Sequence, residues 1–229
     1  MDGNPVEWCI LRHGAAVEDD ATSASSVLLP SYISHLPSTV ANRDNHYEAA
    51  FEEFLRERRM AYVAVDEARR SLVAGGSLKS LDFIVSPEGG RSWLVDVKGR
   101  RFPSGDTTQQ YWRNWSTRDD LWSLAQWHRH FGSNFEPLLV FAYHLVAGRS
   151  PVPEAELFEF RDQRYGFVAI RLADYVPHAR PLSTSWDTVS MSTPIFRRYA
   201  RPVSQWFSPP PGVAVSSDAP WQLAAAEVE

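Results

Sequence analysis

The clearest pattern along the chain is a helical stripe. In DNHYEAAFEEFLRERRMAY, residues 44–62, Tyr47, Ala50, Phe51, Phe54 and Leu55 fall at i, i+3, i+4, i+7 and i+8. That spacing places apolar side chains on one helical face. It predicts a helix over residues 46–59, packed on a core. The apolar run AYVAVD (61–66) suits a strand, and the basic, glycine-bearing EARRSLVAGGSLK separates it from LDFIVS (81–86). PEGG then supplies a turn into SWLVDVKG (92–99), so the last two of three adjacent strands read as a hairpin.

A second helix follows. Ser116 or Thr117 caps it, Asp119 and Asp120 fill its first turn, Leu121, Leu124, Ala125 and His128 share a side, and Gly132 stops it. PLLVFAYHLV (137–146) is apolar throughout, as a strand buried on both faces would be. LFEFRD and YGFVAIRL read as a further hairpin through 157–172. Residues 14–43 are rich in Ser, Thr and Ala without a sustained period, and the chain beyond Pro177 reads as loop, ending in the proline-rich SPPPGVAVSSDAP. The expected organisation is an irregular arm (1–43), a core (44–176) and a loop-rich extension with a flexible tail (177–229). Helix, three strands, helix, strand and hairpin pack most naturally as a mixed sheet flanked by helices.

Composition narrows the class. A chain of 229 residues with 44% hydrophobic content is enough for one substantial core. The single cysteine, Cys9, excludes an internal disulfide, and no stretch reaches the roughly 20 apolar residues a membrane helix needs. With no secretory pattern in residues 1–20, the expectation is a cytoplasmic protein without a membrane partner. The formal charge of −5 argues against a uniformly basic nucleic-acid binder. Yet residues 43–101 hold eleven Lys/Arg against ten Asp/Glu, so the neutral middle is where a polyanion would dock.

The chemistry lies in the hairpin. Alternation puts Trp93, Val95 and Val97 on one strand face and Leu94, Asp96 and Lys98 on the other. Asp82 joins the second set if the register allows, with Glu48 or Glu52 approaching from the first helix. Carboxylates so clustered repel one another unless a cation sits among them. Mg²⁺ suits such a set, because it takes hard oxygen ligands at about 2.0–2.1 Å and keeps several waters. A protonated lysine cannot ligate; its use is beside the attacking water or the scissile phosphate.

Taken in order, Glu48, Asp82, thirteen intervening residues and Asp96-Val97-Lys98 resemble the PD-(D/E)xK nuclease superfamily, whose core is a helix, a three-stranded meander, a second helix and a fourth strand. HYEAAFE, residues 46–52, further resembles the motif that names the HYExAFE family of bacterial proteins. The resemblance implies an α/β, restriction-endonuclease-like fold and Mg²⁺-dependent hydrolysis of phosphodiester bonds in DNA, with Mn²⁺ able to substitute. Asp82 and Asp96 would bind the metal with the backbone carbonyl of Val97. Lys98 would be the catalytic lysine, Glu48 the helix carboxylate supporting the metal or its water, and Gln126 a polar neighbour on the second helix. Leu81 stands where the superfamily name has proline, and Asp96 where glutamate is common.

Competing readings exist for most of these residues. Asp-x-Lys alone describes many solvated strand-edge ion pairs. Asn45 and Glu48 form the spacing of a capping box, and Glu52, one turn on, competes for the metal role. Arg100, Arg101 and Arg113 follow the site and would hold phosphates, while Arg56, Arg58, Arg59, Arg69 and Arg70 read as a solvated face. Trp112, Trp115, Trp122 and Trp127 would stack on bases or simply pack. A catalytically silent nuclease-like module that binds nucleic acid or protein is the alternative, and the sequence leaves a homodimer open. Separately, CILRHGAA (9–16) resembles the Arg-His-Gly signature of histidine phosphatases, with Arg12 and His13 as a phosphate pocket, but a Ser-rich arm follows where that family needs a long α/β domain.

Overall fold

The helical stripe forms α1, His46–Glu57, in the computed structural model, which describes residues 45–65, 71–73, 76–104, 112–183 and 185–208. The Asn45 side chain caps it by accepting from the Tyr47 N–H at 3.2 Å. The expected three strands are β1 (Ala61–Ala64), β4 (Phe83–Ser86) and β5 (Ser92–Phe102). Between the first two lie β2 (Ser71–Val73) and β3 (Gly76–Leu78), a separate hairpin where the sequence reading has only a connection. Two-residue β6 (Ser116–Thr117) leads into α2 (Arg118–Phe131), capped by Thr117, then β7 (Phe135–Leu145). The hairpin β8 (Leu157–Phe160) and β9 (Gln163–Arg171) ends in a single helical turn, α3 (Leu172–Tyr175).

The main sheet runs β1-β4-β5-β7-β9, with β8 also paired to β9. Among the described strands only β5 and β7 pair in parallel, and α2 makes the crossover between them. This is the α/β arrangement expected, a mixed sheet flanked by helices. Because strand side chains alternate, β7 supplies two cores: Leu138, Val140 and Ala142 meet α1, while Leu139, Phe141 and Tyr143 meet the α2 side. Phe51 and Phe54 of α1 reach Phe167 with ring centroids 5.3 and 4.9 Å away. Each such buried side chain contributes about 1.5–3 kcal/mol.

The chain beyond Pro177 departs from its loop-rich reading. Residues 180–207 form β10 (Arg180–Ser183), β11 (Thr188–Ser190), α4 (Thr193–Tyr199), β12 (Arg201–Pro202) and α5 (Val203–Phe207). β12 extends the main sheet against β9, and β10-β11-β6 make a second sheet of three strands. Phe196, Val203 and Phe207 are buried in the cores. Residue 176 is therefore no packing boundary. These elements are too short for their periodicity to show in sequence. The irregular arm, Cys9, Arg12, His13, Arg69, Arg70 and the proline-rich tail lie outside the described residues. Among the described residues, no helix is long and apolar enough to cross a membrane.

Candidate active site

The sheet opens where β4 ends. The last β4–β5 pair is Phe83 with Val95, whereas β5 continues to Phe102 with only β7 beside it. The free edge of β5 therefore begins at Asp96, and the Val97 N–H donates to a carboxylate oxygen of Asp82 instead of to a strand. One residue's N–H and C=O point to the same edge, so the Val97 carbonyl faces this opening too.

Two helix starts close the opening from opposite sides. In the first turn of α1, buried Glu48 accepts from the Asn45 side-chain amide. At the start of α2, the Thr117 hydroxyl accepts from the Asp120 N–H at 3.1 Å, and Asp120 accepts in return from the Thr117 N–H at 3.2 Å, a full capping box. Between them is a cleft of about 410 Å³ whose lining includes Glu48, Asp82, Val97, Lys98, Asp120 and Lys79.

Lys98 organises the floor. Its ammonium stands 2.7 Å from Asp96 and 2.9 Å from Asp120, and Lys79 holds the other Asp120 oxygen at 2.7 Å. Burial alone would push the Lys98 pKa down, but Asp96, Asp120 and Asp82 outweigh it and raise it above the ordinary lysine value. Burial likewise disfavours the Asp120 anion, yet Lys98 and Lys79 prevail and hold it well below the usual carboxylate range. For Asp96 burial wins: its pKa is raised, with Lys98 opposing and Asp120 adding to the rise. Its Oδ2 lies in the close ion pair with Lys98 without the alignment of a hydrogen bond.

Asp96 departs from expectation. It does not line the cleft but lies beneath Lys98 in a narrow space with Leu81, Leu124 and Trp127. Its side of β5 faces α2, whose N-terminal turn supplies the acid that shares Lys98. Among the described residues no three His, Cys, Asp or Glu side chains form a group that could hold a metal ion. The donor set still has hard-oxygen chemistry: Glu48, Asp82 and the Val97 carbonyl edge meet at one opening. The expected fully assembled metal cluster is thus present in its ingredients and not in its geometry.

The other expected residues scatter. Glu52 is absent from the cleft lining because it turns to Tyr62, whose hydroxyl donates at 3.1 Å, and to Arg56 at 3.4 Å. Arg100 lines the cleft, but its guanidinium donates to the carbonyls of Gly99 and Trp115 and lies 3.8 Å over the Trp115 ring. Its Nε is buried without a hydrogen-bond partner, and burial lowers its pKa to about 10. Arg101 is exposed on the opposite strand face, in register with His144, and does not line the cleft. Arg113 is exposed and lines the neighbouring groove. Gln126 is half-buried on α2 and lines neither, since the α2 face toward the site carries Asp120, Ser123, Leu124 and Trp127. Trp112 packs against Phe102 and Tyr143 and lines the neighbouring groove, and Trp127 donates to the Lys79 carbonyl at 2.8 Å, so neither enters the cleft.

Sequence reasoning missed Lys79 and the wider role of Asp120. The available signal was slight: Asp120 was visible only as a first-turn acid, and Lys79 sat in a stretch read as connection. The HYEAAFE segment is explained residue by residue. His46 meets the Tyr165 hydroxyl at 2.8 Å, Glu48 lines the cleft, Ala50 and Phe51 are core, and Glu52 anchors Tyr62. Tyr47 lies against Gly99 so closely that a Cβ there would sit 2.1 Å from its ring.

No family model matches the chain, and no curated protein matches it. Among solved structures, the chain is similar to Hjc of Archaeoglobus fulgidus, a Holliday junction resolvase, at 10% identity and a TM-score of 0.44, over 71% of this chain and 98% of that one.

Proposed function

We propose that the protein is a divalent-metal-dependent nuclease hydrolysing phosphodiester bonds in DNA. The observation that carries the reading is the convergence of Glu48, Asp82, the Val97 backbone and Lys98 at the open edge of β5. Glu48, Asp82 and the Val97 carbonyl would hold Mg²⁺ or Mn²⁺, with Asp96 beneath them keeping Lys98 in place. Such an ion supplies Lewis-acid chemistry, activating the attacking water and offsetting charge at the phosphoryl and departing 3′ oxygens. Lys98, kept protonated by two carboxylates within 3 Å, orients water and phosphate as a cation and hydrogen-bond donor. Asp120 fixes where that ammonium stands, and Glu48 orients water from the α1 side.

The test is incubation with plasmid, single-stranded and branched DNA, and with RNA, in Mg²⁺ or Mn²⁺. Wild-type protein cleaves DNA, and Asp96→Ala and Lys98→Ala each reduce cleavage to background. Activity surviving both substitutions would refute the assignment.

One observation favours a second reading, a catalytically silent nuclease-like binding module: Lys98 and Lys79 already neutralise Asp96 and Asp120 from within the chain. DNA binding without cleavage of any substrate would select it.

A further inference from the structure

Beside the catalytic cleft lies a second groove of about 430 Å³, lined by Trp112, Arg113, Asn114, Trp115, Leu182 and Thr193 among others. Trp115 borders both, so the two adjoin at that side chain. The groove's far wall comes from the β10–β11 hairpin and the start of α4, elements outside the nuclease-like core read from the sequence. Three large apolar side chains of this region stand exposed: Leu182, Ile195 and, at the hairpin tip, Trp186, which is 78% exposed.

Charge identifies the occupant. Residues 177–208 carry Arg180, Arg197, Arg198 and Arg201 against one acid, Asp187, within a chain whose net charge is −5. Arg197 lies 5.4 Å from the centre of the Trp112 ring, and Arg113 is exposed on the groove wall. Half-buried Trp112 and Trp115 beside Arg113 and Arg197, with exposed Trp186 at the tip of the hairpin that forms the far wall, are the features that hold an unpaired strand: cations follow its phosphates and rings stack on its bases. A duplex would bury its base faces and leave the rings without partners.

We infer that this groove binds single-stranded DNA and leads an unpaired strand to or from the catalytic cleft. The choice of DNA rests on the nuclease reading; the groove itself does not. It makes the preferred substrate one with a single-stranded segment, such as a flap or a splayed end.

The test is fluorescence anisotropy with dye-labelled oligothymidine and with blunt duplex DNA, in EDTA so that no cleavage occurs. Trp186→Ala, at an exposed position that leaves the core intact, and Arg113→Glu are compared with the wild type. Each substitution weakens single-strand binding on the order of ten-fold and leaves duplex binding nearly unchanged. Wild-type affinity falls as salt rises. Unchanged affinity in both variants, equal losses on duplex, or tighter binding of the matching RNA would overturn the inference. Single-strand binding without metal-dependent cleavage would keep the groove and sink the enzyme. Cleavage with binding indifferent to both substitutions would do the reverse.

Discussion

Asp120 is the residue whose placement changes the picture most. An acid at the third position of a helix normally serves its own cap, and here the capping oxygen also shares Lys98 with Asp96 while the other oxygen holds Lys79. Asp120→Asn keeps the cap, because an amide oxygen still accepts from Thr117, but removes the charge that positions the lysine. Its expected effect is a fall in turnover of about 10–100-fold with little change in KM or melting temperature. An unaltered rate in a steady-state cleavage assay would show Asp120 to be a cap alone. Gly99→Ala tests the Tyr47 contact: the ring must move from its place on β5, costing about 1–3 kcal/mol in urea unfolding. Asp82, Asp96 and Lys98 were legible because strand alternation and spacing are local. Asp120 and Lys79 were not, because nothing local says that α2 and the β3–β4 connection end beside the same ammonium.

At the scale of elements, the two long helices and the strands β4, β5, β7 and β9 were readable from periodicity and continuous apolar runs. The elements after residue 177 were not, since two- to seven-residue pieces carry no period. They nonetheless complete the cores. Phe196, fully buried, packs edge-on against Phe141 at 5.2 Å between ring centres. Phe196→Ala is expected to cost about 3–5 kcal/mol, read from the urea midpoint. A loss under about 1 kcal/mol would mean that α4 is peripheral after all.

For the whole molecule, one pH dependence follows from the contact of α1 with the sheet. His46 and His144 lie 5.7 Å apart between ring centres. Burial lowers both pKa values, and for His144 the neighbouring charges of His46 and Arg101 lower it further. The native state therefore binds fewer protons than the unfolded chain. Their contribution is fully present above the unfolded value of about 6.5 and is lost as pH falls toward the depressed folded values. Urea midpoints should drop between neutral and mildly acid pH, and His144→Asn should flatten that drop; an identical slope in the variant would contradict it.

The central claim is that the open edge of β5 receives a divalent cation. Anomalous diffraction from crystals soaked in Mn²⁺ tests it most directly. The expected result is a peak in the cleft against Asp82 and the Val97 carbonyl, absent from Asp82→Asn crystals; a cleft still empty at high Mn²⁺, or a peak unaffected by that substitution, would contradict the account.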